Sequence, residues 1–394
     1  MSFTHRGPRT SRPIRNRGFR PVSKRKQAVF ADISKFVNKA TVIEKVVVYV
    51  PEHKFSDFAL TEFLKENISK KGYVMPTPIQ DKAIPHILNG EDIVGIANTG
   101  TGKTAAFLIP LINKVLSSKG EKVLVVVPTR ELAFQIDEEL RAFAKGSGLC
   151  SAVLIGGASM GKQINDLRQR PEFIIGTPGR IKDHIESRYL NLSDFRSIVL
   201  DEADRMLDMG FINDMRFMME RMPKERHTLF FSATLSPEIE KLIHEFLKTP
   251  ARISVKTHDT AKNIDQDIVR IQGKNKYQVL LDLLREDEFG KVLIFSRTKH
   301  GTEKLANNLK LDQIKAESIH GDKNQAARQR ALNNFKQDQA KVLVATDVAA
   351  RGLDISDISH VINYDLPATY EDYIHRIGRT GRAEKKGKAL TFID

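Results

Sequence analysis

The sequence has few of the features that mark secreted or membrane proteins. It contains one cysteine, Cys150, so no disulfide can form within the chain, which is typical of a reducing compartment. We expect that thiol to be a small side chain of the core. The longest apolar runs, Val46 to Val50 and Val123 to Val127, fall far short of the ~18 residues that a membrane-spanning helix needs and match buried strands instead. The N-terminus also lacks the apolar stretch of a secretory signal, so the sequence predicts a cytoplasmic protein.

Acidic residues are absent from the first 30 positions, which hold nine lysines and arginines. Removing those nine charges from the net charge of +14 leaves +5 for the rest of the chain. Proline, glycine, serine and arginine dominate this stretch, so residues 1–45 are predicted to form a basic, largely disordered N-terminal extension. One interpretation of it is a sequence-blind attraction to phosphate polyanions. A solubilising leader is an alternative, and an organelle transit peptide is another, which the prolines and glycines disfavour.

A chain of 394 residues is too long for one ordinary core, and its pattern indicates two α/β domains. From about Val47, apolar strand-like runs alternate with helical stretches, which predicts parallel sheets covered on both faces. Strands are predicted at 123–129, 152–155, 173–177, 198–201 and 228–234, and again at 268–272, 292–296, 317–320, 342–347, 360–365 and 389–393. The alternation breaks at Lys248-Thr249-Pro250. We therefore expect a first domain over 46–252, a linker over 253–265 and a second domain over 266–394.

A phosphate-binding loop, or P-loop, is a prominent signal in the first half. Ala97-Asn98-Thr99-Gly100-Thr101-Gly102-Lys103-Thr104 follows the strand-like run Ile93 to Ile96 and precedes a helical stretch. Its glycines leave backbone N–H groups free to surround phosphates at a positive helix end, Lys103 can neutralise phosphate charge, and the Thr104 hydroxyl can ligate Mg²⁺. Ala97 stands where the general pattern has glycine, so the motif depends on its context.

A second signal, Asp201-Glu202-Ala203-Asp204, directly follows the apolar run Ser197 to Leu200. Alone, this acidic tetrad would be interpreted as a solvated charge run. At a strand tip with a P-loop upstream, one carboxylate can hold Mg²⁺ through water, and its neighbour can orient or deprotonate the attacking water. We expect Asp201 to have the first role and Glu202 the second, which predicts hydrolysis of ATP with Mg²⁺.

With further motifs in the same order, the chain resembles the DEAD-box family of superfamily 2 RNA helicases from about Phe55 to Asp394. The resemblance implies an α/β fold of two RecA-like, parallel-sheet domains in tandem, which close on ATP and single-stranded RNA. It also implies that Asp354 contacts the ATP ribose and that Arg379 and Arg382 are arginine fingers that reach the γ-phosphate. A generic basic patch is the alternative interpretation of those arginines.

Ahead of the P-loop, Gly72-Tyr73-Val74-Met75-Pro76-Thr77-Pro78-Ile79-Gln80 resembles the family's adenine-reading segment, which places that function within 53–81. The carboxamide of Gln80 can pair with adenine N6 and N7 together, and Tyr73 can stack on the ring. The resemblance adds Phe55 and Thr77 to this site. The plainer interpretation is a helix start marked by prolines.

Several segments follow predicted strand ends, where open α/β sheets bind ligands, and resemble the family's RNA-contacting motifs. Threonine hydroxyls, N–H groups at helix starts and arginines suit phosphates and 2′-hydroxyls without reading bases. Taken singly, each segment could be an ordinary loop or helix cap. The residues assigned to RNA are Pro128, Thr129, Arg130, Gly157, Thr177, Pro178, Gly179 and Arg180 in the first domain and Gln325, Arg328 and Thr346 in the second.

Ser232-Ala233-Thr234 follows another predicted strand, and in the family this segment hydrogen-bonds toward the acidic tetrad. The resemblance therefore assigns the coupling of hydrolysis to RNA work to Asp204, Ser232 and Thr234, and a bridging hydrogen-bonded role to His375. From the residues alone the signal is weak, because small hydroxyl residues after a strand are more often helix caps.

The resulting hypothesis is an ATP-dependent RNA helicase, in which RNA-stimulated ATP hydrolysis is coupled to domain closure and to local unwinding of short duplexes or remodelling of RNA–protein complexes. RNA binding is expected to be sequence-nonspecific, with the basic N-terminal tail as an accessory contact. An ATP-gated RNA clamp with slow turnover, built from the same motifs, is one alternative. A DNA translocase with related motor domains is another, and stimulation of the ATPase by RNA but not by DNA would exclude it.

Overall fold

The computed structural model describes residues 1, 37, 49–98, 100–255, 264–350, 355, 357–381 and 387–393. The predicted N-terminal extension and most of the predicted linker lie outside the described residues, as do Thr99, Asp354 and Arg382. In the part of the chain that is described, no helix is both long and apolar enough to cross a membrane.

The first half of the chain forms a parallel sheet flanked by helices. Its described strands are β1 (Ile93–Ile96), β2 (Val123–Val126), β3 (Ser151–Leu154), β4 (Phe173–Gly176), β5 (Ser197–Leu200), β6 (His227–Ser232) and β7 (Ala251–Ser254). They pair in the order β3-β4-β2-β5-β6-β1-β7, every pair parallel. Its described helices are α1 (Glu62–Lys70), α2 (Pro78–Leu88), α3 (Lys103–Ser117), α4 (Arg130–Phe143), α5 (Met160–Arg168), α6 (Pro178–Glu186), α7 (Ala203–Asp208), α8 (Ile212–Arg221) and α9 (Pro237–Phe246).

The second half repeats this architecture. Its described strands are β8 (Ile264–Arg270), β9 (Val292–Phe295), β10 (Ala316–Ile319), β11 (Val342–Ala345), β12 (His360–Asn363) and β13 (Gly387–Ile393). They pair in the order β10-β11-β9-β12-β13-β8, again all parallel. Its described helices are α10 (Lys276–Arg285), α11 (Lys299–Leu311), α12 (Gln325–Lys336), α13 (Asp347–Ala350) and α14 (Tyr370–Ile377).

The central strands β2 and β9 are apolar along their whole length because both faces of each sheet are covered. In β2, Val123 and Val125 pack into the core layer that contains α3, whereas Leu124 packs into the layer on the opposite face. In β9, Ile294 and Leu293 divide between two layers in the same way. Strands buried on both faces are typical of βαβ units, in which helices cross from one parallel strand to the next. The predicted α/β class, with two RecA-like domains in tandem, is confirmed.

Several strands end earlier than the sequence predicts, since the motif residues leave the sheet and begin loops and helix caps. β2 ends at Val126, β6 at Ser232 and β11 at Ala345, each two or three residues before the expected end. At the junction of the domains, β7 runs to Ser254 and β8 begins at Ile264. The two sheets therefore extend into the expected linker from both sides.

Two expectations about single segments differ from the structure. Cys150 is exposed instead of lying in the core, because it precedes β3 at the sheet's rim, where its N–H donates to Glu172 Oε2 at 2.9 Å. Tyr49 and Val50, the described part of the run predicted as a strand, are not in a strand. The Tyr49 hydroxyl instead donates to the Asp81 carboxylate on α2 at 2.5 Å.

Candidate active site

The P-loop crosses from β1 to α3 in the first domain. α3 begins at Lys103, and its N-cap, Gly102, has φ +93°, a left-handed conformation that glycine adopts without strain. A side chain at Gly102 would also collide with Gln80, because the added Cβ would lie 2.5 Å from Gln80 Nε2. The free N–H groups at this helix start form a site for an anion.

Lys103 and Asp201 face each other beside the P-loop, and both are buried. Lys103 Nζ lies 3.8 Å from Asp201 Oδ1 and makes no hydrogen bond to the described residues. Since a buried ammonium group without hydrogen bonds is costly, this site is suited to phosphate oxygens. Thr104 in the first turn of α3 and Asp201 at the tip of β5 present oxygen ligands of the kind that Mg²⁺ prefers.

The acidic tetrad leaves β5 in a tight turn. Glu202 has φ +52° and ψ +49°, a left-handed conformation that is uncommon for a residue with a side chain, and its N–H donates to Asp201 Oδ1 at 2.9 Å. Burial raises the pKa of Asp201 to about 6, although the positive charge of Lys103 acts to lower it. Burial also acts to raise the pKa of Glu202, but neighbouring cations, Arg205 first among them, outweigh it and hold that pKa below its usual value. Glu202 is therefore a buried carboxylate that stays ionised.

Asp204 receives three hydrogen bonds from the segment that follows β6. Its Oδ2 accepts from the N–H groups of Ala233 and Thr234 at 3.0 and 2.9 Å and from the Thr234 hydroxyl at 3.1 Å. The Ser232 hydroxyl donates to the Thr234 carbonyl at 2.8 Å. The structure thus brings together the three residues to which the sequence assigned coupling in this domain.

Residues from the second domain complete the wall of this site. A cavity of about 170 Å³ is lined on one side by Lys103 and Glu202 and on the other by His375 and Arg379. Arg379, directly after α14, is 6% exposed, and its charge contributes to the lowered pKa of Glu202. A guanidinium group of one domain is therefore presented to the carboxylate of the other.

The predicted adenine-reading residues lie beside the P-loop but are bonded to protein. Gln80 is 1% exposed; its Oε1 accepts from the Thr77 N–H at 2.9 Å, and its Nε2 donates to the Gly102 carbonyl at 3.1 Å. Tyr73 packs edge-to-face on the buried ring of Phe55, with 5.8 Å between ring centroids. Gln80 thus holds the P-loop, and both rings belong to an aromatic cluster beside it, while adenine reading by these residues stays a prediction.

The residues assigned to RNA in the first domain meet at one edge of its sheet. Thr129, Gly157 and Thr177 come after β2, β3 and β4, three strands that are adjacent in the sheet. Arg130 packs against Gly157 so closely that a Cβ there would lie 2.3 Å from Arg130 Nη1. The same loops also carry Pro128, Pro178, Gly179 and Arg180.

The second-domain residues assigned to RNA differ in how far they are free to bind it. Arg328 is buried; its Nε and Nη2 pair with Glu131 Oε1 of the first domain at 2.8 and 2.7 Å, and its Nη1 donates to the His320 carbonyl at 3.2 Å. That guanidinium group links the two domains in this structure, and its assignment to RNA stays a prediction. The Gln325 carboxamide makes no hydrogen bond to the described residues, and Thr346 follows β11 at the sheet edge.

Three charged side chains that the sequence analysis did not assign organise the site; they are Glu131, Arg205 and Arg376. Glu131 binds Arg328 across the domains, and Arg205 Nη1 contacts the Glu202 carboxylate. All three stand within or beside motifs already noted, and a charge inside such a motif was the available signal. The partner of each side chain is distant in the sequence or on the adjacent helical turn, so the sequence alone does not show which residues form ion pairs.

Arg376 holds the helix that carries the second domain's side of the cavity. It is 2% exposed, its Nε and Nη2 pair with the Asp347 carboxylate at 2.5 and 2.8 Å, and its Nη1 donates to the Asn363 side chain and the Asp365 carbonyl. Because the partners lie after β11 and on and after β12, this one side chain fixes α14, and with it Arg379, to the sheet.

Comparisons with known proteins agree with this geometry. A family model described as DEAD/DEAH box helicase matches residues 77–242, and one described as helicase conserved C-terminal domain matches residues 275–384. The chain is 45% identical over 342 residues to the ATP-dependent RNA helicase CshA of Listeria monocytogenes serovar 1/2a. That alignment covers 86% of this chain and 66% of the relative, so the chain spans about two thirds of the relative's length.

Solved structures of similar chains show the same two-domain architecture. Dbp5 of S. cerevisiae, bound to RNA and ADP BeF3, is 30% identical with a TM-score of 0.76, and the match covers 86% of this chain and 89% of that one. A doubly truncated Mss116p bound to ssRNA and AMP-PNP is also 30% identical, with a TM-score of 0.78 and coverage of 88% and 76%. Because both halves match helicase models and the similarity extends over most of the chain, the protein belongs to the DEAD-box family of ATP-dependent RNA helicases, which are ATP-hydrolysing enzymes.

Proposed function

We propose that this protein couples RNA-stimulated ATP hydrolysis to closure of its two domains, and that closure unwinds short RNA duplexes locally or remodels RNA–protein complexes. The observation that carries the proposal is the cavity that Lys103 and Glu202 share with His375 and Arg379. Neither domain supplies the whole set of side chains. Hydrolysis therefore requires the two domains to be together.

In this proposal ATP binds with its phosphates on the P-loop. The N–H groups of the loop and the Lys103 ammonium, which has no hydrogen bond to the described residues, take up phosphate oxygens, and Asp354 contacts the ribose. Mg²⁺ supplies positive charge that neutralises the phosphates, and Thr104 and Asp201 would hold it, largely through water. The remaining nucleotide contacts come from Ala97, Asn98, Thr99, Gly100, Thr101 and Gly102.

Hydrolysis then depends on groups from both domains. Glu202 orients the attacking water and accepts its proton, since its carboxylate is buried and ionised. Arg379 and Arg382 stabilise the negative charge that develops on the transferred phosphoryl group. Asp204 and His375 connect this chemistry to the segment after β6 and to α14, so that a change at the phosphate is passed to both domains.

Gln80 takes part in both adenine recognition and the positioning of the P-loop. The Gln80 carboxamide holds the Gly102 carbonyl, and pairing with adenine N6 and N7 draws on the same two polar atoms. Base binding therefore alters the hold of Gln80 on the P-loop. Thr77 orients that carboxamide through its N–H, while Phe55 and Tyr73 form the apolar wall beside the base.

RNA lies in this proposal across the carboxyl edges of the two sheets. Arg130 and Arg180 bind phosphates from the first domain, and Gln325 and Thr346 contribute from the second. Contacts to phosphates and 2′-hydroxyls give little sequence preference but favour RNA over DNA. Arg328 acts through Glu131 by holding the domains together. The basic N-terminal extension adds a salt-sensitive accessory contact, and the protein acts in the cytoplasm.

Strand separation tests this proposal. A short RNA duplex, labelled on one strand, is mixed with the protein and Mg²⁺, and released strand is measured with ATP, without nucleotide and with a non-hydrolysable analogue. With duplex in excess over protein, we expect repeated release with ATP; Glu202→Gln, which keeps the shape of the side chain but removes the base, should close once without reopening, so that release stops after a single round. Release that continues unchanged in Glu202→Gln would contradict the assignment of Glu202. RNA that stays bound with ATP, with slow ATP turnover and no strand release, would favour the clamp.

A further inference from the structure

Two buried polar side chains lie beneath the RNA-binding edge of the first domain. Gln163 on α5 is 3% exposed, and His184 on α6 is 0% exposed. The Gln163 Nε2 donates to the Ile155 carbonyl at 3.0 Å, and Gln163 Oε1 lies 3.1 Å from His184 Nε2. Because the amide oxygen can only accept, the hydrogen of the neutral imidazole is on Nε2.

This pair connects two loops that carry residues assigned to RNA. Gln163 holds the residue directly before the Gly156-Gly157 loop, and His184 lies on the helix that starts with the Thr177–Arg180 loop. The loops follow β3 and β4, which are neighbours in the sheet. A hydrogen bond between the two helices therefore sets how far apart the two loops stand.

A second contact joins the same loops near the surface. Arg180 Nη1 donates to the Ala158 carbonyl at 3.2 Å, just after the Gly156-Gly157 loop. Because Arg180 Nη1 is held by this contact, the guanidinium group can turn only its other N–H groups toward an RNA phosphate. The two loops are thus tied once at the surface, through Arg180, and once in the interior, through Gln163 and His184.

Burying the polar side chains of Gln163 and His184 costs more free energy than burying apolar side chains of similar size. Two apolar side chains in their place would leave only the Ile155 carbonyl to satisfy, whereas the present pair also leaves His184 Nδ1 without a hydrogen bond to the described residues. Burial, and then the nearby charge of Arg180, lowers the pKa of His184, so the ring stays neutral. What a hydrogen bond adds to packing is direction, since it fixes the relative orientation of the two helices that donate and accept it.

We propose that Gln163 and His184 are positioning residues for RNA binding. Their hydrogen bond fixes the spacing between the Gly156-Gly157 loop and the Thr177–Arg180 loop, so that both bind one RNA strand at the same time. Neither side chain touches the RNA. The inference rests on the proposed RNA-binding edge of the first domain.

Two substitutions remove the hydrogen bond between the two side chains. His184→Phe keeps an aromatic ring beside Tyr189, its edge-to-face neighbour, but removes the N–H donor. Gln163→Met keeps the length of the side chain and removes both polar atoms. His184→Gln is the conservative variant, because its amide can still donate to Gln163.

Asn67→Leu is a matched control elsewhere in the same domain. Asn67 is also a buried amide, at 8% exposure, and its Nδ2 donates to two carbonyls at the C-terminal end of α4, the end away from the Thr129 cap. This substitution therefore removes buried hydrogen bonds without touching the two loops. It is expected to lower the Tm and leave RNA affinity unchanged.

RNA affinity is measured by fluorescence anisotropy with a labelled single-stranded oligoribonucleotide and a non-hydrolysable ATP analogue, over a series of salt concentrations. We expect His184→Phe and Gln163→Met each to raise the Kd for RNA about tenfold, the effect expected when one charge-assisted hydrogen bond to RNA is removed. The slope of log Kd against log salt should fall by about 0.7 for each phosphate that the protein no longer binds. Affinity for the ATP analogue, measured without RNA, should be unchanged in both variants. The double variant should bind RNA no more weakly than either single variant, because both remove the same hydrogen bond. His184→Gln should bind RNA about as tightly as wild type.

Unchanged RNA affinity in His184→Phe and Gln163→Met, with a lowered Tm, would show a role in stability alone and overturn the inference. Equal loss of RNA and nucleotide affinity would also overturn it, because the effect would not be specific to RNA. Failure of the wild-type protein to bind RNA would instead overturn the proposed function. If His184→Phe does not fold, Gln163→Met and His184→Gln decide the question through the same two affinities.

Discussion

At the scale of single residues, the chemistry depends on where charge is buried. Arg379 and Glu202 come from different domains, both are at most 6% exposed, and each changes the electrostatic environment of the other. A guanidinium group so placed is useful to a developing phosphoryl charge only while the domains are together. In the proposed mechanism, the dependence of hydrolysis on closure therefore rests on Arg379 together with Arg382.

Arg379→Lys tests that dependence. The charge is kept, but the planar fork of donors is removed, so we expect kcat for RNA-stimulated ATP hydrolysis to fall about 10³-fold with little change in the KM for ATP. Steady-state ATPase assays give both constants. Arg216→Lys is the control and should leave kcat unchanged, because Arg216 on α8 makes only an exposed ion pair, with Glu245 on α9. A kcat within tenfold of wild type would remove Arg379 from the catalytic set.

Replacing a P-loop glycine can cost backbone strain and a steric clash, and a comparison of Gly102 with Gly100 distinguishes the two. Both have positive φ, +93° and +82°, but only at Gly102 would a Cβ collide with Gln80; nothing lies within 4 Å of one at Gly100. Gly100→Ala is expected to cost about 1–2 kcal/mol of backbone strain, and Gly102→Ala clearly more. Thermal unfolding without nucleotide measures both. Equal Tm values would show that Gln80 moves aside freely.

At the scale of elements, buried histidines anchor strands of both sheets. His227 begins β6, is 6% exposed, and its ring Nε2 lies 2.8 Å from the Glu91 carbonyl just before β1. Burial lowers its pKa from 6.5 to about 4. In the unfolded chain the same ring takes up a proton at higher pH, so protonation favours unfolding.

This pKa shift predicts how stability varies with pH. Because the folded-state pKa lies below the unfolded value, the unfolded chain binds more protons between pH 6.5 and about 4, and stability falls as pH falls through that window. His227 should account for about 2 kcal/mol of the loss between pH 7 and pH 5. Urea unfolding of wild type and His227→Gln at both pH values measures it. Other groups, His360 included, cancel in the comparison, and equal pH dependence in the two proteins would contradict the assignment.

The alternation of strands and helices was predictable, whereas the ends of the strands and several side-chain roles were not. Apolar runs such as Val123–Val126 are buried on both faces, so composition alone marks them as strands of a parallel sheet. The P-loop was predictable because its letters and its flanking strand are local. The contacts of Gln80 with Gly102 and of Arg328 with Glu131 were not predictable. Those contacts join segments that only folding brings together, which a local pattern cannot show.

At the scale of the whole molecule, a buried ion pair joins the two domains next to the proposed RNA-binding edge. Arg328 and Glu131 are 197 positions apart in the sequence, and their side chains are 8% and 3% exposed. When the domains separate, both charges return to water. The pair therefore exists only while the domains are together, and removing one partner would leave the other charge buried and unpaired in that arrangement alone.

Arg328→Met is expected to weaken closure selectively. It leaves Glu131 buried without a partner in the closed state, a cost of about 3–5 kcal/mol, so the RNA concentration for half-maximal ATPase should rise at least tenfold while affinity for nucleotide alone stays the same. Adding Glu131→Gln should recover part of the loss. Lys388→Met, which breaks the exposed pair with Glu288, is the control. RNA dependence equal to wild type would show that the pair does not stabilise closure.

The central claim is that ATP is hydrolysed at a site which RNA helps to assemble from two domains. The most direct test is steady-state ATP hydrolysis by the full chain with no nucleic acid, with single-stranded RNA and with DNA of the same sequence, alongside Glu202→Gln. We predict strong stimulation by RNA, little by DNA, and none after Glu202→Gln. Equal turnover in the presence and absence of RNA, or equal stimulation by DNA, would contradict the account.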